Sequence, residues 1–422
     1  IGWARQQMSL ESKIKKLAMD IGFDLVGITT ADPFERDEEA ASQRVRDGLM
    51  DGLPWYTLER VQRMNRPQVL LDGARSVISL AVSYNATSDD NDNQLKSGDA
   101  GPQLTGKFAR YARGDDYHDV IKKRLRRFVD ELPDILGRAA STRVFVDDGP
   151  MNDRAAAERA GVGWFGKNTN ILTPSHGSWV FLAQVITDVE LRQDIPLKKT
   201  CGNCVRCIDD CPTGAIVAPY VLDNRKCISY LTIELRGVIP RELRPLMGDW
   251  VFGCDICQDV CPVNWKAAKG SETAFQKRHD FDAPELLPLL EMDDEEFRER
   301  FRNSPIKRTK RKGLQRNVCV ALGNLGDARA IPALRKALVC DESLIRLHAA
   351  WALGRIGGDE ALGCLKQVIS TNEGGRGRVS LVLDIDQDQS VELALPGFYA
   401  ISPDMRAAMM ALRPRVPEPN TA

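Results

Sequence analysis

Apolar and polar positions alternate along this chain with a period that changes several times. Glu11 to Ile21 places its apolar residues at helical spacing and predicts an amphipathic helix, and Phe23 to Thr29 reads as a strand. Ser76 to Val82 is apolar almost throughout, as expected of a strand buried on both faces. His118 to Leu132 predicts a basic helix, and Arg143 to Val146 and Trp179 to Ile186 predict two further strands. Residues 87 to 106 are polar, acidic and contain Gly, which predicts a surface loop. Helix and strand thus mix over residues 8–195, in an α/β or α+β unit. Met8-Ser9-Leu10-Glu11 reads as a natural start, leaving the seven residues before it without a role in the fold.

Farther on, the helical pattern repeats itself. The stretch from Asn317 to Asp327 returns 31 residues later from His348 to Asp359, each copy ending in a Gly-Asp turn. Helix pairs at such a period cannot bury their apolar faces alone and must stack, which predicts linker helices and HEAT-like repeats over residues 271–370. In the tail, residues 371–422, Val379 to Ile385 and Val391 to Leu395 alternate like strands and Pro403 to Leu412 like a helix. No role is assigned to it.

Composition narrows the field. With 58 Lys plus Arg against 59 Asp plus Glu, the net charge of −1 excludes a global affinity for polyanions, so any nucleic-acid surface must be local. Apolar runs fall well short of the ~20 residues that cross a bilayer, which predicts a soluble protein with no membrane partner. Two basic runs stand out. Lys122 to Arg127 is the ordinary solvated face of a helix. Lys307, Arg308, Lys310, Arg311, Lys312 and Arg316 sit beside the repeats, with no apolar face to suit a membrane, and predict contacts to RNA phosphates.

Eight of the eleven cysteines carry the chemistry. Cys201, Cys204, Cys207 and Cys211 stand at the spacing x2, x2, x3 with Pro212 behind, and Cys254, Cys257 and Cys261 repeat the end of that run with Pro262 behind. This is the ligand run of a protein with two [4Fe-4S] clusters, in which each run lends its last thiolate to the other cluster. A complete second run would begin at 251, where Val251 cannot ligate iron, so Cys227 replaces it. One cluster then takes Cys201, Cys204, Cys207 and Cys261; the other takes Cys211, Cys227, Cys254 and Cys257. Zinc sites do not call for three cysteines at two-residue gaps followed by x3-Cys-Pro. Crowded thiols without a signal peptide point to a reducing cytoplasm rather than to disulfides. Cys319, Cys340 and Cys364 lie in apolar helical settings as core thiols. The cluster segment spans residues 196–270.

Clusters relay electrons, so a substrate site is expected in the N-terminal unit. Three segments there offer unusual residues: Arg110 to His118; Val146-Asp147-Asp148-Gly149-Pro150 with Asp153-Arg154; and Gly161 to Asn168, leading to Ser178-Trp179. Asp147 at a strand end is commonly a turn-former. Asp116-x-His118 begins a pattern that supplies a histidine to cobalt in some enzymes, but Ile121 occupies its glycine position.

Together, Tyr111 to His118, Val146 to Gly149, Arg159 to Asn168, Cys201 to Pro212, Cys227 to Thr232, Gly253 to Cys257 and the repeats resemble the epoxyqueuosine reductase family over about residues 10 to 370. The resemblance implies an α+β protein with an N-terminal α/β cobalamin-binding domain, a two-cluster ferredoxin-like domain and C-terminal HEAT-like helices. It implies an oxidoreductase, a cytoplasmic monomer that reduces epoxyqueuosine at the tRNA wobble position. Electrons from an external low-potential donor would pass through both clusters to base-off cobalamin, with no histidine on cobalt. Asp147 matches the family's proton donor, and desolvation against a corrin face would raise its pKa. Near the corrin the resemblance places Arg110, Asp147, Lys167, Asn168, Ile171, Ser178, Leu182, Ser229, Gly253, Cys254, Asp255 and Ile256. The repeats and the Lys307–Arg316 run would hold the anticodon arm. The chief alternative is a cobalamin and iron–sulfur reductase of a small organic compound, as in the related reductive dehalogenases, which would need no RNA surface.

Overall fold

The structure, a computed structural model, describes residues 8–86 and 103–370 and two short tail strands. Most of the loop expected at 87 to 106 and the helix expected at Pro403 to Leu412 lie outside the described residues. In the tail, Leu383–Asp386 pairs antiparallel with Gln389–Val391.

Leu10–Ile21 forms the first helix because Ile14, Ala18 and Ile21 fall on one face, Ser9 caps its start and Gly22 ends it in the left-handed conformation. It packs with the helix Tyr117–Leu136 on one face of a four-stranded sheet, around Phe23, Ile78, Leu80, Leu125 and Phe128. The strand order is Leu25–Thr30, Ser76–Ser83, Val180–Thr187, Thr142–Phe145, and every pairing is antiparallel. Hence the unit is α+β in its connections, although helices cover both faces as in an α/β layer. The opposite face receives Asp153–Arg159, with Ala81, Ala157 and Ala160 between them. A Cβ on Gly27 would stand 2.1 Å from the Ala160 carbonyl oxygen. Only glycine lets that helix approach so closely. Ser76–Ser83 is buried at every residue, which is why its sequence shows no alternation.

The cysteine segment folds around two short helices, Arg206–Asp209 and Ile256–Asp259, packed against each other. Its strand Trp250–Phe252 pairs in parallel with Lys107–Phe108 and so joins the segment to the N-terminal unit.

The repeats comprise Lys310–Leu325, Ile331–Leu338, Ser343–Ile356 and Gly358–Ser370. A Cβ on Gly323 would meet Trp351 at 2.8 Å, so glycine sets the spacing of the stacked pair. Equivalent positions of the two copies, Asn317 and His348, are both polar and wholly buried. Asn317 Nδ2 donates to the carbonyls of Thr232 and Val251, both at 2.9 Å, and His348 Nε2 accepts from Ile239 N at 3.3 Å. The repeats therefore clamp the chain that links the two cysteine runs. No helix among the described residues is long and apolar enough to cross a membrane.

Candidate active site and iron–sulfur centre

The thiols gather as the spacing predicts. Cys201, Cys204, Cys207 and Cys261 line one cavity with Lys167, Asn168, Leu172, Arg206 and Pro262. Burial pushes the Cys207 thiol up to about 11, and the neighbouring Cys201, Cys261 and Cys204 add to it. The second set forms deeper. Burial raises Cys227, Cys254 and Cys257, with Cys211 next to Cys227, Cys227 and Cys211 near Cys254, and Cys227 and Cys254 near Cys257. Cys257 also feels Cys207, so the two sets adjoin. No three such side chains among the described residues converge on the point-like site of a lone ion; thiolates around a four-iron cube stand farther apart. The donor set fits two clusters, and loading iron must displace the protons that burial holds on Cys207, Cys227, Cys254, Cys257 and Cys261.

Asp147 ends the strand Thr142–Phe145 plus one residue and adopts a positive φ of 54°. Aspartate tolerates that conformation better than most residues, and it turns the carboxylate away from the strand. The Tyr117 hydroxyl donates to Asp147 Oδ2 at 2.7 Å. Tyr117 is itself fixed between Phe181, stacked at 4.1 Å, and the His118 ring at 4.0 Å. Burial and then the Asp147 charge hold the Tyr117 phenol well above its usual range, so it remains a donor. Tyr111 packs edge-on against Tyr117 at 6.2 Å and is held neutral by the same two causes. His118 Nδ1 is tied to Asp116 at 2.7 Å. Across the site, Arg308 is ion-paired with Glu234 and its charge extends to Asp147 and Tyr117. Asp147 is solvent-exposed in the chain alone, so desolvation there needs a bound partner.

Residues expected around a corrin fall mostly at the seam between the N-terminal unit and the second cysteine run. Arg110 N donates to Asp255 Oδ2 at 2.7 Å, its guanidinium pairs with Asp259 at 2.7 Å, and it lies 4.4 Å over the Trp179 ring. Ser178 Oγ donates to Gln258 at 2.9 Å, and Asn168 Nδ2 to the Cys257 carbonyl at 3.2 Å. Lys167 Nζ reaches the Gly202 carbonyl at 2.7 Å, beside the first thiol set. Ile171 and Leu182 belong to the small core beneath Asp153–Arg159, Ile171 being buried. Gly253 has φ +70°, and its N–H donates to Thr232 Oγ1 at 2.9 Å. Cys254, Ile256 and Ser229 are half-buried beside it. Asp255 is buried, its carboxyl pushed up to about 6 by that burial, and its Oδ1 has no hydrogen-bond partner.

Known proteins fit this geometry. A 4Fe-4S double cluster binding domain matches residues 200–264, HEAT repeats match 306–382, and the model described as epoxyqueuosine reductase QueG, DUF1730 matches 64–148. The epoxyqueuosine reductase of Shewanella oneidensis is 40% identical over 353 residues, covering 82% of this chain and 88% of its own. The chain belongs to the epoxyqueuosine reductase family. Two solved members of the family superpose on it at TM-score 0.77 and 34% identity, each over 86% of this chain. One is a crystal structure with a tRNA-Tyr epoxyqueuosine-modified stem loop, of which 94% is covered. The other, from Bacillus subtilis and 95% covered, has its catalytic aspartate loop swung out of the active site.

Against the family's RNA-linked architecture, the basic run divides. Arg316 is a correction to the sequence reading: it is 0% exposed and cannot meet a phosphate. Its guanidinium donates to the carbonyls of Leu231, Leu235 and Gly237 at 2.7 to 2.8 Å and to Asn317 Oδ1 at 2.8 and 3.0 Å, and burial lowers it to about 9. Arg311 is held by Asp294 and Gln315, and Arg308 by Glu234. Lys307, Lys310 and Lys312 are exposed, and no ion pair among the described residues engages them. Sequence reasoning missed Tyr117 and Glu234 as parts of the site. Tyr117 lay inside a quoted motif, yet only the fold turns its hydroxyl toward a residue 30 positions away.

Proposed function

We propose that this chain reduces epoxyqueuosine at the tRNA wobble position to queuosine. What carries the reading is one juxtaposition in a member of this family: two four-thiol sets adjoin each other, and the deeper one packs against the same core as Tyr111, which borders a carboxyl–phenol pair, Asp147 and Tyr117, that also feels Arg308. Removing an epoxide oxygen as water takes two electrons and two protons. The thiol sets suit the electrons, and Asp147 suits the proton on the leaving oxygen. Tyr117 fixes the Asp147 Oδ2, which leaves Oδ1 to deliver that proton; such positioned acids contribute roughly 10²- to 10⁴-fold in rate. Arg308 suits the oxygen as it gains charge, and Lys307, Lys310 and Lys312 suit the phosphates of an anticodon arm, from which the base must be splayed.

Cobalamin fits the seam described above. Its carboxamide fringe would meet Asp255, whose buried Oδ1 lacks a partner, together with Ser229 and the Gly253–Ile256 backbone. When bound, cobalamin supplies a strongly reducing cobalt able to attack a strained C–O bond. Such a body bound at this seam would also exclude water from the site. The protein works as a cytoplasmic monomer, with boundaries near 195, 270 and 370, fed by an external low-potential donor.

The test is anaerobic loading followed by a stem loop carrying epoxyqueuosine. Expected are about eight irons per chain, uptake of one five-coordinate cobalamin seen in visible and EPR spectra, and conversion to queuosine. Loading without conversion would contradict the reading.

A further inference from the structure

Electrons bound for a substrate beside Asp147 must enter through one of the two thiol sets, and the structure makes them unequal. Cys227 and Cys254 pack, with Tyr111, against the large core that contains the repeats, on the side of the chain that holds Asp147. The other set faces outward: its cavity reaches the surface, and Cys204 is exposed. Around this opening the surface is cationic and dotted with apolar side chains. Lys198, Lys199 and Arg206 are exposed. Lys199 Nζ lies 5.3 Å over the Trp164 ring, and Arg206 lies 5.1 Å over Trp265, which is 61% exposed. Val205 and Tyr220 are exposed beside them, Tyr220 near enough to feel Cys201. The exposed carboxylates here are Asp209 and Asp210, at the far end of the Arg206–Asp209 helix, and Asp259, which Arg110 neutralises in an ion pair and whose carbonyl accepts from the Trp265 indole.

We propose that this cationic, aromatic-flecked rim around Cys204 docks a small acidic one-electron carrier protein of the flavodoxin class. The inference rests on the reading of the chain as a cluster-bearing reductase and adds where its electrons enter and from what kind of partner. The physical case is charge and exposure together. A carrier must arrive, transfer one electron and leave, which suits a small contact steered by opposite charge rather than a large apolar interface. Trp265 and Val205 supply the apolar centre that keeps water from between the redox groups. In each encounter the carrier's reduced flavin is oxidised by one electron and the outer cluster is reduced by one; two encounters supply the pair that a turnover consumes.

The test uses the full, cluster-loaded chain and oxidised flavodoxin as the probe, with affinity measured at low and high salt. Binding is expected to weaken about tenfold or more as salt rises through the range where the Debye length shortens from ~30 to ~8 Å. Lys198→Glu/Lys199→Glu should weaken low-salt binding by about tenfold, while charge reversal on a distant helix, Lys123→Glu/Arg126→Glu, should leave it unchanged. Affinity for the modified stem loop and conversion driven by a small reducing dye should persist in the Lys198/Lys199 variant. No salt-sensitive binding, an unaffected Lys198/Lys199 variant, or an equal loss in the distant variant overturns the docking site. Failure of dye-driven conversion in the unaltered chain instead overturns the underlying reading.

Discussion

At the smallest scale, the proposed chemistry rests on a carboxylate, a phenol and a guanidinium. Asp147→Asn keeps the shape and the Tyr117 hydrogen bond but removes the proton, so turnover should fall by about 10² or more with stem-loop affinity retained. Single-turnover conversion alongside a binding titration checks this. Tyr117→Phe should cost roughly tenfold in rate with little change in affinity, since it removes orientation rather than acid. Asp147 was singled out only through the family resemblance, because a carboxylate at a strand end is by itself commonly a turn-former. Its partner was not, because the pairing depends on how the Tyr117–Leu136 helix lies on the sheet. Arg316 was misread for a related reason. Every residue from Gly313 to Gly323 is buried, so the helix has no outer face on which a cation there can remain. Arg316→Ala would strand three carbonyls and open a cavity, lowering stability by about 3 kcal/mol in a denaturant titration, whereas Lys312→Ala should change it by less than ~0.5 kcal/mol.

Elements were most legible where their period was strong. The first helix, the buried central strand and the 31-residue repeat all follow from burial on a fixed face, and the cysteine spacing follows from the geometry of two adjoining cubes. The antiparallel order of the sheet was not, since order depends on contacts far apart in sequence. Nor was the link from the repeats to the segment between the cysteine runs, which rests on Asn317 and His348. Burial, aided by the nearby Arg244 charge, lowers His348 well below its ordinary value of 6.5. The neutral ring's contribution is thus fully present above about pH 6.5 and lost as pH falls from there toward the lowered folded value, by up to ~1.4 kcal/mol per pH unit. His348→Gln, which can still accept from Ile239 N and donate to the Leu344 carbonyl, should flatten this loss. Thermal midpoints compared near pH 7.5 and 5.5 would show it; equal slopes would remove His348 as the cause. On the RNA side, Lys307→Ala and Lys312→Ala should each reduce the salt slope of stem-loop binding by about 0.7 to 0.9.

At the scale of the whole molecule, three units meet at one place: the N-terminal unit contributes Asp147, just past an edge strand, and Tyr117, at the start of a helix, the cysteine segment Glu234, and the start of the repeats Arg308. No one of them completes the site. The architecture fits a task in which electrons arrive on one side, a large RNA lies on another, and a single base is presented between them. That division explains why balanced overall charge coexists with local cationic surfaces. The most direct measurement is the mass of an epoxyqueuosine-bearing stem loop after anaerobic incubation with the loaded chain and a chemical reductant. The account predicts loss of one oxygen with the unaltered chain and none with Asp147→Asn despite equal binding; an unchanged mass with fully reduced, fully loaded protein, or full conversion by the variant, would contradict it.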